Sequence, residues 1–314
     1  MNLLGSIYGA GVRARNALYD RGTFVQHRLR KPVVSVGNLS VGGSGKTPFV
    51  LLLGELLKDR GFVFDILSRG YGRKTEGVRV VDPGGSSSEF GDEPLLLARR
   101  LGVPVVVGED RAQAGRLAEL RFPSQLHLLD DGFQHRALWR AFDIVLVTPE
   151  DARDGLLPAG RLREPLASLS RADAVVLTSG ASAEQFHVSS GLVWRARRGI
   201  APRNVPSRPV AFCGIARPRN FFLQLRAAGI EAAAEAVYRD HHAYSEKDIA
   251  DLLRLREQSE GNGFVTTEKD AVNLGGRLPA LEPIAIVPVK MELIDAANAV
   301  DTMLRVIANR TGQT

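Results

Sequence analysis

The stretch Ser40-Val-Gly-Gly-Ser-Gly-Lys-Thr47 constrains the fold more than any other part of the chain. It lies between an apolar run at 33–36 and an apolar helical segment at 49–58 that carries Leu51, Leu52, Leu53, Leu56 and Leu57. Strand, glycine-rich turn and helix in that order form the unit that cradles nucleotide phosphates. Gly42, Gly43 and Gly45 let the backbone turn tightly and aim N–H groups at the phosphates, and a helix opening near Pro48 adds the positive end of its dipole. Ser40, Val41, Gly42, Gly43, Ser44, Gly45, Lys46 and Thr47 are therefore the expected nucleotide-binding residues. Lys46 would reach the β- and γ-phosphates, and Thr47 would offer its hydroxyl to Mg²⁺. Ser40 stands where the usual pattern has its first glycine, a mild departure because strand, loop, lysine, hydroxyl and helix all fall in order.

Apolar runs at 63–67, 78–81, 103–107, 126–129, 144–147 and 174–177 alternate with helical stretches such as 93–100 and 111–120. Near-continuous apolar strands of this kind suit a mostly parallel sheet covered on both faces, an α/β fold of the P-loop NTPase type. A proline-punctuated stretch at 202–209 reads as a linker. The elements beyond it, at 210–213, 221–228, 249–255, 263–267 and 284–289, predict a smaller C-terminal α/β domain, with Ser245 and Asp248 forming a capping box. The expected organisation is an N-terminal helix in 1–30, a P-loop core in 31–205 and the smaller domain in 206–314. With 44% hydrophobic and 24% charged residues, neither disorder nor a fibrous protein is expected.

Lysine and arginine outnumber aspartate and glutamate by 41 to 35, and a formal charge of +6 favours anionic partners. The basic residues are scattered and aromatics make up only 6% of the chain, which argues against nucleic acid. Cys213 is the only cysteine, so no intramolecular disulfide forms, and the first residues lack a secretory signal; both point to reducing cytoplasm. No apolar run approaches the roughly 18–20 residues that a spanning helix needs. Near the N-terminus Leu4, Ile7, Tyr8 and Val12 recur at helical spacing, and Arg13, Arg15, Arg21, Arg28, Arg30 and Lys31 follow. This reads either as an interfacial helix or as a helix packed on the domain, and Gly5, Gly9, Gly11 and an Arg15 on the apolar stripe weaken the first reading.

The run at 126–129 ends in Asp130-Asp131-Gly132-Phe133-Gln134-His135, which sets two carboxylates at the carboxyl end of a buried strand, where α/β ligands bind. One aspartate would hold Mg²⁺ while the other orients its neighbours. Asp92 in Gly91-Asp92-Glu93-Pro94 reads as the N-cap of the following helix or as an acceptor for the proton of an attacking hydroxyl, and spacing favours the cap. Asp240-His241-His242 reads as loop polar residues, an acid–base pair or a metal site. The remaining histidines supply no zinc set, so no metal beyond Mg²⁺ is expected. Arg69, Tyr71 and Arg73 follow another strand end in a turn suited to an anionic group on an acceptor. Glu164, in Arg161-Leu-Arg163-Glu164-Pro165, is a further carboxylate for the metal or its network.

These segments, with Thr266-Thr-Glu-Lys-Asp-Ala271, resemble the tetraacyldisaccharide 4′-kinase family over nearly the whole chain. The resemblance implies transfer of the ATP γ-phosphoryl group to the 4′-hydroxyl of tetraacyldisaccharide 1-phosphate, a step of lipid A synthesis. It implies ATP and Mg²⁺ as cofactors, and a peripheral location on the cytoplasmic face of the bacterial inner membrane through the N-terminal helix, with no obligate protein partner. It makes Asp92 the catalytic base, assisted by His241, with Lys46 on the phosphates. Thr47, Asp130, Asp131 and Glu164 surround the metal, and Arg69, Tyr71, Arg73, Gln134 and His135 are candidate acceptor contacts. A P-loop NTPase coupling hydrolysis to metal insertion or protein delivery, or a non-catalytic nucleotide-dependent membrane module, would share the phosphate loop without needing Asp92.

Overall fold

The computed structural model describes residues 3–188 and 191–312. The chain opens with α1 (Leu3–Asp20), β1 (Val33–Asn38), α2 (Lys46–Asp59), β2 (Phe64–Ser68), β3 (Arg79–Val80), α3 (Ser87–Phe90), α4 (Asp92–Leu101) and β4 (Val105–Val107). It continues through α5 (Arg111–Arg121), β5 (Leu126–Asp130), β6 (Phe142–Val147), β7 (Ala174–Thr178), β8 (Leu192–Ile200), β9 (Pro209–Cys213) and α6 (Pro218–Ala227). The last elements are β10 (Ala234–Val237), α7 (Glu246–Gln258), β11 (Gly263–Thr267), α8 (Glu268–Leu274), β12 (Ile284–Val287), β13 (Val289–Leu293) and α9 (Ala296–Thr311).

Nine strands form one sheet in the order β13-β8-β7-β6-β1-β5-β2-β4-β3. All neighbours run parallel except the two edges, where β13 is antiparallel to β8 and β3 to β4. β1 lies between β5 and β6, with Val36 opposite Asp130 on one side and Ile144 on the other. The strands alternate between two cores: Val34 and Val36 pack with α2 and α4, while Val33, Leu67 and Leu129 pack against Ala112, Ala114 and Ala118 of α5. Helices on both faces account for strands that are apolar at nearly every position. Because the chain leaves β1 for one side and later crosses it to reach β6, the carboxyl ends of β1 and β5 open a crevice, the usual ligand position in such sheets.

The second sheet has the order β10-β9-β11-β12 and is wholly parallel. Val210, Phe212 and Phe264 face Ile249 and Leu252 of α7, and Ala211, Cys213 and Val265 face Phe221, Phe222 and Leu225 of α6. The expected strand at 284–289 and the expected domain span 206–314 both require correction. Pro288, which has no N–H to give a ladder, separates β12 from β13. β13 then returns to the large sheet, and Val300, Met303 and Ile307 of α9 join the core that holds Leu53 and Leu57 of α2. The smaller unit is thus an insertion whose chain leaves the large sheet after β8 and comes back at β13.

α1 lies on the large unit. Gly9, Val12 and Asn16 are buried, and a side chain at Gly9 would come within 2.6 Å of Leu156, so that glycine permits the close approach. Arg15, which breaks the apolar stripe, donates to the backbone carbonyl of Gln134. The opposite face exposes Leu3, Leu4 and Ile7, and Phe24 and Val25 are exposed just beyond the helix. No helix among the described residues is long and apolar enough to cross a membrane.

Candidate active site

The loop between β1 and α2 has left-handed backbone at Gly42 (φ 67), Gly43 (φ 72) and Gly45 (φ 87), a conformation that side chains disfavour. Gly45 is the N-cap of α2 and supplies no side-chain cap, so the first N–H groups of the helix stay available to an anion. The helix begins at Lys46, two residues before the expected Pro48. Ser40 is fully buried; Asn38 Nδ2 donates to its carbonyl at 2.7 Å and approaches its hydroxyl at 3.4 Å. The segment that ends in Arg163 is laced to the loop: Val41 N–H donates to the Arg161 carbonyl at 2.8 Å, and Arg161 Nη2 donates to the Val41 carbonyl at 2.8 Å. Ser44 Oγ is buried without a partner, and Thr47 is buried at the second position of the helix.

Lys46 Nζ donates to Asn38 Oδ1 at 3.0 Å and lies 3.5 Å from Asp131 Oδ1. Arg163 forks onto Asp131 at 2.8 and 2.9 Å. Burial pushes the Asp131 carboxyl up, but Lys46 and Arg163 outweigh it and hold the group well below the usual carboxylate range. Asp130 differs. Burial, followed by the charges of Glu93 and Asp131, pushes its carboxyl up to about 7, and its Oδ1 is buried without a hydrogen-bond partner. An orphaned acceptor beside a second carboxylate, in a cavity that Thr47 also lines, fits a hard cation. Among the described residues no three His, Cys, Asp or Glu side chains are gathered closely enough to hold a metal alone.

Asp92 sits at the first turn of α4, but the N-cap is Gly91 (φ 88), so the capping role expected for Asp92 is corrected. Its Oδ1 accepts from Glu93 N–H at 2.9 Å. The other donors come from the smaller unit: His241 Nδ1 at 2.9 and 3.0 Å and Asn273 Nδ2 at 3.0 Å, with Lys269 Nζ at 3.8 Å. Burial raises the Asp92 carboxyl, yet the His241 hydrogen bond and the Lys269 charge hold it below its ordinary value. Burial pulls the His241 imidazole down, but the bond to Asp92 leads the effects that raise it above its ordinary value. Lys269 also reaches Glu93 and Asp240 at 3.4 Å each and lies 3.2 Å from His241 Nε2. Sequence reasoning gave no role to Asn273 or Lys269. Lys269 stood in the Thr266–Ala271 stretch that shares in the resemblance, and Asn273 was marked only by its position in the helix after the 263–267 strand, which meets α4 only in three dimensions.

A cavity of about 830 Å³ joins these groups. Its lining includes the phosphate loop, Arg69, Tyr71, Glu93, Asp130, Asp131, Arg163, Arg198, Arg217, Asp240, His241 and Lys269. Tyr71 packs on His241 with ring centroids 5.0 Å apart. Six expected site residues are not in that lining: Ser40 and Asp92, both buried as described above, and four more. Arg73 is turned away to Glu109 and to the Gly77 carbonyl. Gln134 donates to the Asn38 carbonyl at 3.0 Å, beneath the loop. The imidazole of His135 is pushed down to about 4 by burial and Arg111, which leaves it neutral near pH 7. Glu164 is buried against Arg171 at 2.9 Å and Asn16 at 2.7 Å, whereas Glu93, Asp240 and Glu268 join Asp130 and Asp131 in the cavity lining, and the charge of Glu93 acts on Asp130. Both partners donate to Glu164 Oε2, while Oε1 is buried without a partner, and sequence spacing could not show this.

A glycine-rich loop at the helix N-terminus, a lysine and paired carboxylates at the adjacent strand end, and a carboxylate–imidazole pair whose imidazole lines the same cavity define a P-loop phosphotransferase. The model of the tetraacyldisaccharide-1-P 4′-kinase family matches residues 1–308. The chain is 52% identical to the tetraacyldisaccharide 4′-kinase of Koribacter versatilis, over 99% of this chain and 100% of that protein. It is 40% identical to the tetraacyldisaccharide 4′-kinase of Geobacter metallireducens, over 92% of each. Among solved structures it is similar to LpxK from Aquifex aeolicus, described as a complex with ATP, at a TM-score of 0.79 and 36% identity over 97% of each chain. The chain belongs to the tetraacyldisaccharide-1-P 4′-kinase family.

Proposed function

We propose that this chain transfers the γ-phosphoryl group of ATP to the 4′-hydroxyl of tetraacyldisaccharide 1-phosphate, with Asp92 as base and His241 as its partner. The observation that carries the assignment of roles is the Asp92–His241 pair, 2.9 Å apart, beside the cavity that the phosphate loop lines. The acceptor oxygen bonds to the γ-phosphorus as the bond to the β–γ bridging oxygen breaks, ADP leaves with that electron pair, and the hydroxyl proton passes to Asp92. Lys46 and the loop N–H groups hold the phosphates. Thr47, Asp130 and Asp131 are the residues that would hold Mg²⁺, which when bound neutralises developing phosphate charge. Arg69 and Tyr71, at the cavity rim, are suited to meet the acceptor. Arg73, Gln134 and His135 would act from behind that rim, and the burial of Glu164 favours a supporting role beneath α1.

The exposed apolar face of α1 supports peripheral attachment to the cytoplasmic face of the inner membrane, where a tetraacylated lipid would be met without leaving the bilayer. The test is transfer of labelled γ-phosphate from ATP to the purified lipid in detergent micelles with Mg²⁺, beside a reaction without acceptor. Labelled lipid is the expected product. Asp92→Asn should lower kcat by about a hundredfold to ten-thousandfold while ATP binding persists. Label released only as free phosphate, whatever the acceptor, would replace this reading with a coupling NTPase.

A further inference from the structure

β8 forms part of the wall of the cavity, and its alternation decides which of its arginines faces inward. Trp194 and Ala196 are buried in the core shared with α2 and α9, whereas Arg195 and Arg197 are exposed on the other face. The two-residue period of a strand places Arg198 on the face of Trp194 and Ala196. It is paired in register with Met291 of β13, whose terminal methyl lies 2.9 Å from where a side chain on Gly45 would start. An arginine therefore interrupts an apolar stripe at the point where that stripe reaches the phosphate loop, and it lines the cavity.

Two of the other guanidiniums that line the cavity, Arg163 and Arg217, are answered within the protein, as is that of Arg161 behind the loop, whereas Arg69 and Arg239 share the unpaired state of Arg198 among the described residues. Arg163 pairs with Asp131 at 2.8 Å, Arg217 with Glu150 at 3.0 Å, and Arg161 with the Val41 carbonyl at 2.8 Å. Arg198 has no hydrogen-bond or ion-pair partner among the described residues, and its Nε is buried. Burial and the neighbouring charge of Arg217 both act to depress its pKa, so a neighbouring charge is of the same sign. A half-buried cation with no counter-charge is unfavourable unless an anion completes the site.

We infer that Arg198 is a nucleotide-binding residue, a cationic contact to the polyphosphate contributed by β8 in addition to Lys46. The planar guanidinium fork matches phosphate oxygens. This assignment rests on ATP as the phosphoryl donor, not on the identity of the acceptor. A residue of this kind opposes folding of the free protein and favours the complex, so its removal has effects of opposite sign on the two.

Arg198→Met separates that role from a structural one. Calorimetric titration with inorganic tripolyphosphate and with ATP should show affinity reduced by about ten- to a hundredfold for both. The ligand-free melting temperature should stay the same or rise. Unchanged affinity for tripolyphosphate overturns the inference, as does a loss confined to ATP, which would place Arg198 on the nucleoside. A lower ligand-free melting temperature with normal affinity assigns Arg198 to structure. If Arg198→Met does not fold, Arg198→Gln gives the same comparison, and full tripolyphosphate affinity in that variant is equally decisive. Wild-type protein that binds neither ligand overturns this inference and the kinase reading together. Wild-type protein that binds both and phosphorylates no lipid overturns only the acceptor assignment.

Discussion

Asp92 shows how a residue with an ordinary sequence setting acquires chemistry from its neighbours. A carboxylate that receives one N–H from its own helix and further donors from His241 and Asn273 is held in one orientation, with its charge favoured over its neutral form. The partner effect can be followed with pH. The folded pKa of His241 is raised above its ordinary 6.5, so the stability its protonation contributes is fully present below 6.5. That contribution is lost as pH rises through the higher folded value. The difference in melting temperature between wild type and His241→Asn should therefore be largest near pH 6 and shrink toward pH 9. A difference that grows with pH would mean that His241 does not hold Asp92 as a cation.

Among the elements, α1 has two faces with different tasks. Its inner face is fixed by Val12, by Asn16 on Glu164, and by Tyr8, whose hydroxyl donates to the Arg163 carbonyl at 3.0 Å. The helix is therefore tied to the segment that laces the phosphate loop. Its outer face carries Leu3, Leu4 and Ile7 in solvent, with exposures of 74%, 59% and 61%. Serine at these three positions should reduce flotation with anionic phospholipid vesicles by at least about tenfold, since each apolar side chain contributes on the order of 1–3 kcal/mol when buried in lipid. ATP affinity should not change, because none of the three lines the cavity. Flotation equal to wild type would remove α1 as the attachment element.

On the scale of the whole molecule, the return of β13 and α9 to the large sheet places both ends of the smaller unit on one support, the β8–β13 edge. This edge also carries Arg198 to the cavity and Met291 against Gly45, so the last strand of the chain buttresses the first functional loop. Met303 of α9 is fully buried in the core of the large unit. Met303→Ala should cost about 2–5 kcal/mol in urea unfolding followed by tryptophan fluorescence. Trp194 packs in that core and Trp139 against it, so the transition they report should shift. An unchanged tryptophan transition would contradict this connectivity.

The strand–loop–helix unit, the paired aspartates and the parallel character of the sheet were legible in the sequence because each is local. Apolar runs, glycines that need left-handed backbone and a lysine at fixed spacing are set by neighbours in the chain. Asp92 was ambiguous for the same reason: its neighbours in sequence favoured a cap, while the donors that orient it come from 149 and 181 residues away. The resemblance to a kinase family directed attention to Asp92, His241 and Glu164, but only tertiary contacts separated the two that meet beside the cavity from the one buried beneath α1. The division at 206–314 failed because a linker leaves a compositional trace and a strand's choice of sheet does not. Pairing partners are decided by which edge lies open once the rest of the chain has packed, and that is a property of the fold.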